Sequence, residues 1–369
     1  MSNPPKYMDI VNWTIAQIAT NAFQPKDKFL SEVTLCKKFG CSRQTVRRAL
    51  EMLEMQGYIT RIQGSGTYIA PSKPCSIPSD EGIIPSMVVG LVSTFQDHYI
   101  FPNIIRGIGG TLFNGGYAMQ IAFTDNQVTG ETKALQLMLE KQLAGLIVEP
   151  TRSALPCVNL DLYHTIIQRG IPIIFIDSFY PELSIPYVAL DDVKAGYIAT
   201  QHLLKKGHRN ILGIFPHNNR QGLLRYLGYV NALTEQGMPV QDERICWYSK
   251  ESMMQILHSN QFLEHLSTCT GVVCYNDWMA LMIIDLLRKN NRNVPDDLSI
   301  VGIDNSEMAR FSSLTSVAHP AEQLGEASAN LLLSMIKGSE GKNILFQPQL
   351  IERGSVRQLG ENAEYDTPK

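Results

Sequence analysis

No run of eighteen consecutive apolar residues occurs anywhere in the 369-residue chain, so no segment is expected to span a membrane. No basic stretch followed by an apolar one opens it, and no secretory signal is expected. Seven cysteines are too few and too scattered for a metal site. None forms a C-x-x-C pair, Cys36 and Cys41 are isolated, and Cys269 and Cys274 lack a second close pair. They read as reduced, mostly buried thiols of a cytoplasmic protein. Low-complexity tracts are missing, and a hydrophobic fraction of 44% is ample for buried cores in two to three domains. No Ser/His or Cys/His constellation and no metal-ligand spacing stands out, so catalytic residues, metals and cofactors are not expected. The pairs Asp191-Asp192 and Asp296-Asp297 are adjacent, and their side chains diverge in extended chain, unlike the facing carboxyls of a glycosidase. Gly107-Ile108-Gly109-Gly110 lies within a helical pattern and reads as close packing, not as a phosphate cradle.

Excess positive charge is also lacking overall, at −3, but its distribution is uneven. Residues 1–70 hold nine Lys and Arg against five acids, leaving 23 against 30 in the remainder. A basic head on an acidic body places a phosphate-attracting field at one end. Within that head, Phe39-Gly40-Cys41-Ser42-Arg43-Gln44-Thr45-Val46-Arg47-Arg48-Ala49-Leu50 predicts a tight turn and a helix capped by Ser42. Arg43 and Arg47 lie four apart on one face, with Gln44 and Thr45 beside them. Val46, Ala49, Leu50 and Leu53 form the opposite, buried stripe. Donors on the first turns of a helix that enters the major groove N-terminus first can reach base edges and phosphates.

With Leu30-Ser31-Glu32 before it and Gly64-Ser65-Gly66-Thr67-Tyr68-Ile69 after it, this pattern closely resembles the GntR-type winged helix-turn-helix. The resemblance implies DNA contacts, or bracing of them, by Glu32, Arg43, Arg47, Gly64 and Gly66, with Ser42, Gln44, Thr45 and Gln63 as neighbours. Cys41 replaces the usual Val, and Val33 stands where many members carry Arg, which removes one DNA contact.

Residues 71–86 are rich in Pro and Ser without any period and read as a semi-extended linker. From residue 87 to 369, apolar runs at 87–92, 118–123, 145–148, 173–176, 187–189, 211–214, 271–274 and 299–303 alternate with helical patterns. The helices are expected at 102–114, 131–141, 160–169, 193–206, 224–236 and 278–289. That alternation predicts an α/β architecture of parallel sheets with helices on both faces. Two doubly wound lobes, meeting near residue 190, are more economical than one very large sheet. Ligands bind such folds at the carboxyl ends of strands. There the sequence offers Asp177, Arg225, Asn276 with Asp277, and Asp304 with Asn305, groups able to hold vicinal hydroxyls. Tyr99 and Phe101 could cover the apolar face of a sugar ring. Any one of these acidic or amide residues could equally be a simple helix cap.

Residues 87–357 resemble the LacI-type effector domain, akin to periplasmic sugar-binding proteins. The match rests on Gly207-His208-Arg209-Asn210-Ile211, Arg225-Tyr226-Leu227-Gly228-Tyr229, Asn276-Asp277-Trp278-Met279-Ala280-Leu281, Val301-Gly302-Ile303-Asp304, Leu314-Thr315-Ser316-Val317 and Leu350-Ile351-Glu352-Arg353-Gly354-Ser355. The resemblance implies ligand contacts by Asp177, Arg225, Asn276, Asp304 and His319, the last a departure from the common Gln. A GntR-type head on a LacI-type body is similar to the repressors of arabinose use in Gram-positive bacteria. Gly145-Leu146-Ile147-Val148-Glu149-Pro150-Thr151 and Asp177-Ser178-Phe179-Tyr180 share that likeness. It implies L-arabinose as effector, with Glu149, Thr151 or Arg152 as further contacts. The expectation is a homodimer on double-stranded operator DNA, released when the sugar closes the cleft. A sugar-responsive activator, or a repressor answering another small molecule, remains the alternative. A periplasmic binding protein would lack the basic head.

Overall fold

The computed structural model describes residues 6–19, 23–24, 26–55, 58–62, 66–70, 86–95 and 100–359. The chain divides into two compact units, one up to Ile84 and one from Pro85 onward. Most of the expected linker, and Gln63, Gly64 and Tyr99, lie outside the described residues.

The first unit is three helices, α1 (Lys6–Ala19), α2 (Glu32–Phe39) and α3 (Arg43–Met55), then an antiparallel pair, β1 (Ile59–Ile62) and β2 (Gly66–Ile69). Ser31 caps α2 by accepting from the Thr34 amide at 3.2 Å, and Gly40 ends it in the left-handed region at φ +57°, where a Cβ would be strained. Ser42 then caps α3 by accepting from the Thr45 amide at 3.2 Å. Val46, Ala49, Leu50 and Leu53 of α3 are buried with Ile10 and Val11 of α1, Leu35 of α2 and Ile59 and Ile69 of the strands. Apolar spacing thus dictates which face of α3 is inside, and Arg43, Gln44 and Arg47 are left exposed.

The second unit begins with β3 (Val88–Ser93), α4 (Phe101–Asn114), β4 (Ala118–Phe123), α5 (Val128–Leu139), β5 (Gly145–Val148), α6 (Leu160–Gln168), β6 (Ile173–Ile176) and β7 (Tyr187–Leu190). It continues with α7 (Asp192–Lys205), β8 (Ile211–Pro216), α8 (Arg220–Glu235), β9 (Ile245–Tyr248), α9 (Met253–Leu257), α10 (Asn260–Thr268), β10 (Gly271–Cys274) and α11 (Asp277–Lys289). It closes with β11 (Ser299–Asp304), α12 (Glu307–Phe311), β12 (Thr315–Ala318), α13 (Ala321–Ile336), β13 (Ile344–Phe346) and β14 (Gln349–Ile351).

These strands form two six-stranded sheets, ordered β13-β7-β6-β5-β3-β4 and β14-β12-β11-β10-β8-β9. Every pairing is parallel except β12 with β14. The division into lobes at residue 190 needs correction. Helix α13 packs on α4, and β13 pairs with β7, so the chain returns to the first lobe after building most of the second. Three strands of chain therefore cross between the lobes, around residues 191, 319 and 347. At the crossing Lys194 Nζ donates to Gln347 Oε1 at 2.7 Å, and the Asp191 amide donates to the Phe346 carbonyl at 2.9 Å. Helix α8 also starts four residues before the expected 224, so Arg225 sits in its second turn and does not open it.

Close approach of helices explains several glycines. A Cβ on Gly107 would lie 2.1 Å from the Glu322 carbonyl oxygen of α13. A Cβ on Gly196 would lie 2.0 Å from the Arg225 carbonyl oxygen, and one on Gly228 2.0 Å from that of Val193. Helices α7 and α8 therefore touch backbone to backbone at the turn that carries Arg225. Gly196→Ala is expected to cost about 1–3 kcal/mol by overpacking, read as a lowered calorimetric melting temperature; an unchanged one would show that the helices can separate freely.

Candidate functional site

In the first unit, Arg43 and Gln44 occupy the exposed first turn of α3, and Ser42 and Thr45 tie that turn together, their hydroxyls 2.9 Å apart. Arg47, one turn on, donates through Nε to both Glu32 oxygens at 3.2 and 3.3 Å. Glu32 thus orients Arg47 and leaves its terminal nitrogens available. Gly66 opens β2 at φ +123°, and a Cβ there would meet Lys28 Cε at 3.2 Å. Lys28 bridges to Tyr68, which makes it an exposed cation beside this hairpin that sequence reasoning passed over. Cys41 is half-buried, less enclosed than expected. Val33 is exposed, as an Arg at that position would be.

The second unit encloses a cavity of about 290 Å³ between its lobes, at the carboxyl ends of β3, β5, β6, β8, β10 and β11. Of the ligand residues expected from sequence, Phe101, Glu149, Asp177, Arg225, Asn276 and Asp304 line it. Thr151, Arg152 and His319 do not line it, and Tyr99 lies outside the described residues. Thr94, Phe95, Ser153, Gln221, Lys250 and Trp278 also face the cavity and were missed, since residues in loops and in the opening turns of α8 and α11 carry no periodic signal.

The carboxylates are held in demanding backbone conformations. Asp177 has φ +64° and Asp304 φ +112°, where a side-chain-bearing residue costs about 1–3 kcal/mol, as at many binding sites. Asp177 accepts from Gln221 Nε2 at 2.9 Å, and its other oxygen lies 2.9 Å from His319 Nε2. Burial pushes the Asp177 carboxyl up, but His319, Arg225 and Gln221 together hold it below its ordinary value. Burial likewise opposes charge on His319, and Asp177 more than offsets it. His319 stands at the second crossing between the lobes, so it positions Asp177 from behind the cavity. Asn276 accepts from the Met279 amide at 2.9 Å, which makes it the cap of α11, with its NH₂ group still available at the cavity.

Arg225 is 3% exposed and gathers the acids around it. Its Nε donates to Asp192 at 2.8 Å, NH1 to the Tyr275 carbonyl at 2.6 Å, and NH2 lies 3.5 Å from Asp304. Burial disfavours its charge, but Asp192 and Asp304 outweigh that and raise its pKa. Asp192 belongs to the adjacent pair whose side chains diverge. Its neighbour Asp191 indeed turns away to cap α7, accepting from the Lys194 amide at 3.0 Å. Asp277 is buried and accepts from the Ser306 amide at 2.7 Å and the Ser316 hydroxyl at 2.5 Å, bracing the loop after Asp304.

Glu149 is 6% exposed and accepts from the Ser93 hydroxyl at 2.9 Å, the Thr94 amide at 2.7 Å and the Thr94 hydroxyl. Burial, then the nearby Asp177 charge, push its carboxyl up to about 8 against the pull of those donors. Between the ordinary 4.5 and about 8, the folded state holds a proton that the unfolded chain has lost. Stability from this group is therefore greatest at low pH and falls as pH rises through that window, by up to about 1.4 kcal/mol per unit. Asp277, pushed by burial to about 7, acts in the same direction. Glu149→Gln is expected to flatten the decline in melting temperature from pH 6 to 8. An unaltered slope would place the titration elsewhere.

Among the described residues no group of three His, Cys, Asp or Glu could hold a metal, and no helix is long and apolar enough to cross a membrane. Of the six described cysteines, Cys157, Cys269 and Cys274 are buried.

Comparison with known proteins places both units. Residues 7–69 match the family of bacterial regulatory proteins of the gntR type, and residues 200–356 match the periplasmic binding protein-like domain. The transcriptional regulator CelR in complex with cellobiose has the same fold, with a TM-score of 0.64 at 23% identity over 85% of this chain and 90% of that one. An arabinose metabolism transcriptional repressor of Geobacillus stearothermophilus is 34% identical over 96% of this chain and 98% of its own length. Its namesake from Halalkalibacterium halodurans is 34% identical over 96% of this chain and 97% of its own. These relatives are transcriptional regulators and not enzymes. With a gntR-type head, a periplasmic-binding-protein-like body and full-length similarity of this degree, the chain belongs to the family of arabinose metabolism transcriptional repressors.

Proposed function

We propose that the effector of this repressor is L-arabinose, that it binds in the cavity between the lobes, and that it releases a homodimer from its operator. The observation that carries this reading is the composition of the cavity wall. Fixed carboxyls from Glu149, Asp177 and Asp304, the Arg225 fork and the Asn276 amide stand beside the rings of Phe95, Phe101 and Trp278. Charged and amide groups exchange hydrogen bonds with hydroxyls, and rings cover the apolar face of a sugar. A volume of about 290 Å³ lies at the lower end of small-molecule sites and suits a single sugar ring. The relatives' names support arabinose as that sugar.

In the head, Arg43, Gln44, Thr45 and Arg47 read the major groove, with Ser42 and Glu32 bracing them. The hairpin carrying Gln63, Gly64 and Gly66 lies along the backbone or minor groove. The organisation is a head over residues 1–70, a linker over 71–86 and an effector body over 87–369, acting in the cytoplasm. Two protomers suit the two-fold symmetry of an operator. Calorimetric titration with L-arabinose, against D-xylose, D-ribose and D-galactose, tests the effector. Saturable binding of L-arabinose alone is expected, followed by sugar-dependent loss of an operator gel shift. Binding of another of these sugars in its place would overturn the assignment. A shift that strengthens with sugar would make the protein an effector-dependent DNA binder.

A further inference from the structure

Arg152, expected from sequence to touch the ligand, does not line the cavity. It stands in the loop after β5, in the first lobe, and its NH2 reaches Glu251 of the second lobe at 2.9 Å. The loop is anchored from below by Glu131, which is fully buried. Glu131 accepts from the Thr151 amide at 2.7 Å, Asn159 Nδ2 at 3.1 Å and the hydroxyls of Tyr163 and Tyr180 at 2.9 and 3.0 Å. The α5–β5 side of the lobe thereby dictates where Arg152 projects. The Arg152 amide and Nε also donate to Asn126, at 2.9 and 3.2 Å. Asn126 lines the cavity and faces Asn219 of the second lobe across 3.4 Å. Two further bonds cross between the lobes beside this pair: the Ala154 amide donates to the Asn218 carbonyl at 3.3 Å, and the Arg220 amide to the Ser153 hydroxyl at 3.0 Å.

We infer that the Arg152–Glu251 ion pair is a clasp that holds the two lobes together and so sets how much effector is needed. It contributes through closure and not through contact with the sugar. A half-exposed ion pair is weak, but here it acts only in the closed form, so its whole strength biases the open–closed equilibrium. The inference rests on the sugar-responsive reading for its consequence, and on interlobe geometry for its existence.

The test uses the full-length protein. Hydrogen exchange without ligand should show Ala154 and Arg220, whose amides bridge the lobes, exchanging about two- to five-fold faster in Arg152→Ala and in Glu251→Gln. The exchanged pair Arg152→Glu/Glu251→Arg should recover much of that protection. Titration with L-arabinose should show apparent affinity falling by the same about two- to five-fold and recovering in the same double variant. Exchange at wild-type rates in both single variants would overturn the clasp, whichever sugar the body binds. A loss of affinity of a hundred-fold in Arg152→Ala, not recovered by the exchanged pair, would also overturn it and make Arg152 a direct ligand contact. Silence of the wild type towards L-arabinose, with altered exchange, would retain the clasp and sink the effector assignment.

Discussion

Replacing Arg225 by alanine is expected to lower effector affinity at least about 100-fold and leave a repressor that no longer answers its sugar. Breaking a buried ion pair by removing one partner costs about 3–5 kcal/mol, and each 1.4 kcal/mol is ten-fold in affinity. Arg225 is the shared partner of Asp192 and Asp304, and both acids are buried. Burial already pushes Asp192 up to about 6 against the pull of Arg225. Without the guanidinium Asp192 becomes neutral, Asp304 loses its cation, and the cavity wall loses the donors that a hydroxyl needs. Part of the cost falls on folding, because the Tyr275 carbonyl also loses a 2.6 Å hydrogen bond. Arg225→Lys separates the two effects, since it retains the charge without the fork and should bind at an intermediate level. Calorimetry reads the affinity, a melting curve reads the fold, and a gel shift with and without sugar reads the response. Folded Arg225→Ala protein that still releases DNA on adding sugar would remove this residue from the site.

The second large effect lies in the other unit. Arg43→Ala is expected to weaken operator binding by about 1–3 kcal/mol and to relax sequence preference, with effector affinity unchanged. Arg43 is exposed on the first turn of α3, and the buried stripe of that helix lies on its other face. No folding role competes with the expected role in reading. Arg47 differs, being held by Glu32, so Glu32→Ala should cost less than either arginine because it removes only orientation. Binding measured over a salt series distinguishes base reading from phosphate contact. Loss spread evenly over all DNA sequences would show that Arg43 grips phosphate only. An equal fall in sugar affinity would mean that a folding residue had been mistaken for a reading one.

Both predictions concern residues visible in the sequence, and the reasons differ. In the head, a capping Ser, arginines four apart and an apolar stripe are all local signals, and α3 follows them closely. In the body, seven of the eight apolar runs fall within one residue of their strands at both ends, and interior strands such as β5, β6 and β10, buried on both faces of a parallel sheet, are continuously apolar. Edge strands β9, β13 and β14 were not foreseen. They are only three or four residues long and partly buried, with Trp247 and Leu345 exposed, so the short apolar stretches of β9 and β13 do not stand out from their polar flanks. Asp177 and Asp304 were legible because each ends a strand whose apolar run stops there. Asp192 was not, since its partner Arg225 lies 33 residues away and pairs with it only once α7 and α8 pack at Gly196 and Gly228.

By itself, the sequence determined the class of each unit, the exposed face of α3 and the acids and arginine at the strand ends. These depend on periodicity, capping and the apolar–polar boundary, which act over a few residues. Only the tertiary structure decided that the chain crosses between the lobes three times, that His319 supports Asp177 from behind, and that Arg152 reaches Glu251 instead of the cavity. Those outcomes depend on contacts between residues 99, 142 and 153 apart in sequence, formed when two sheets and their helices pack, and no local pattern encodes such distances.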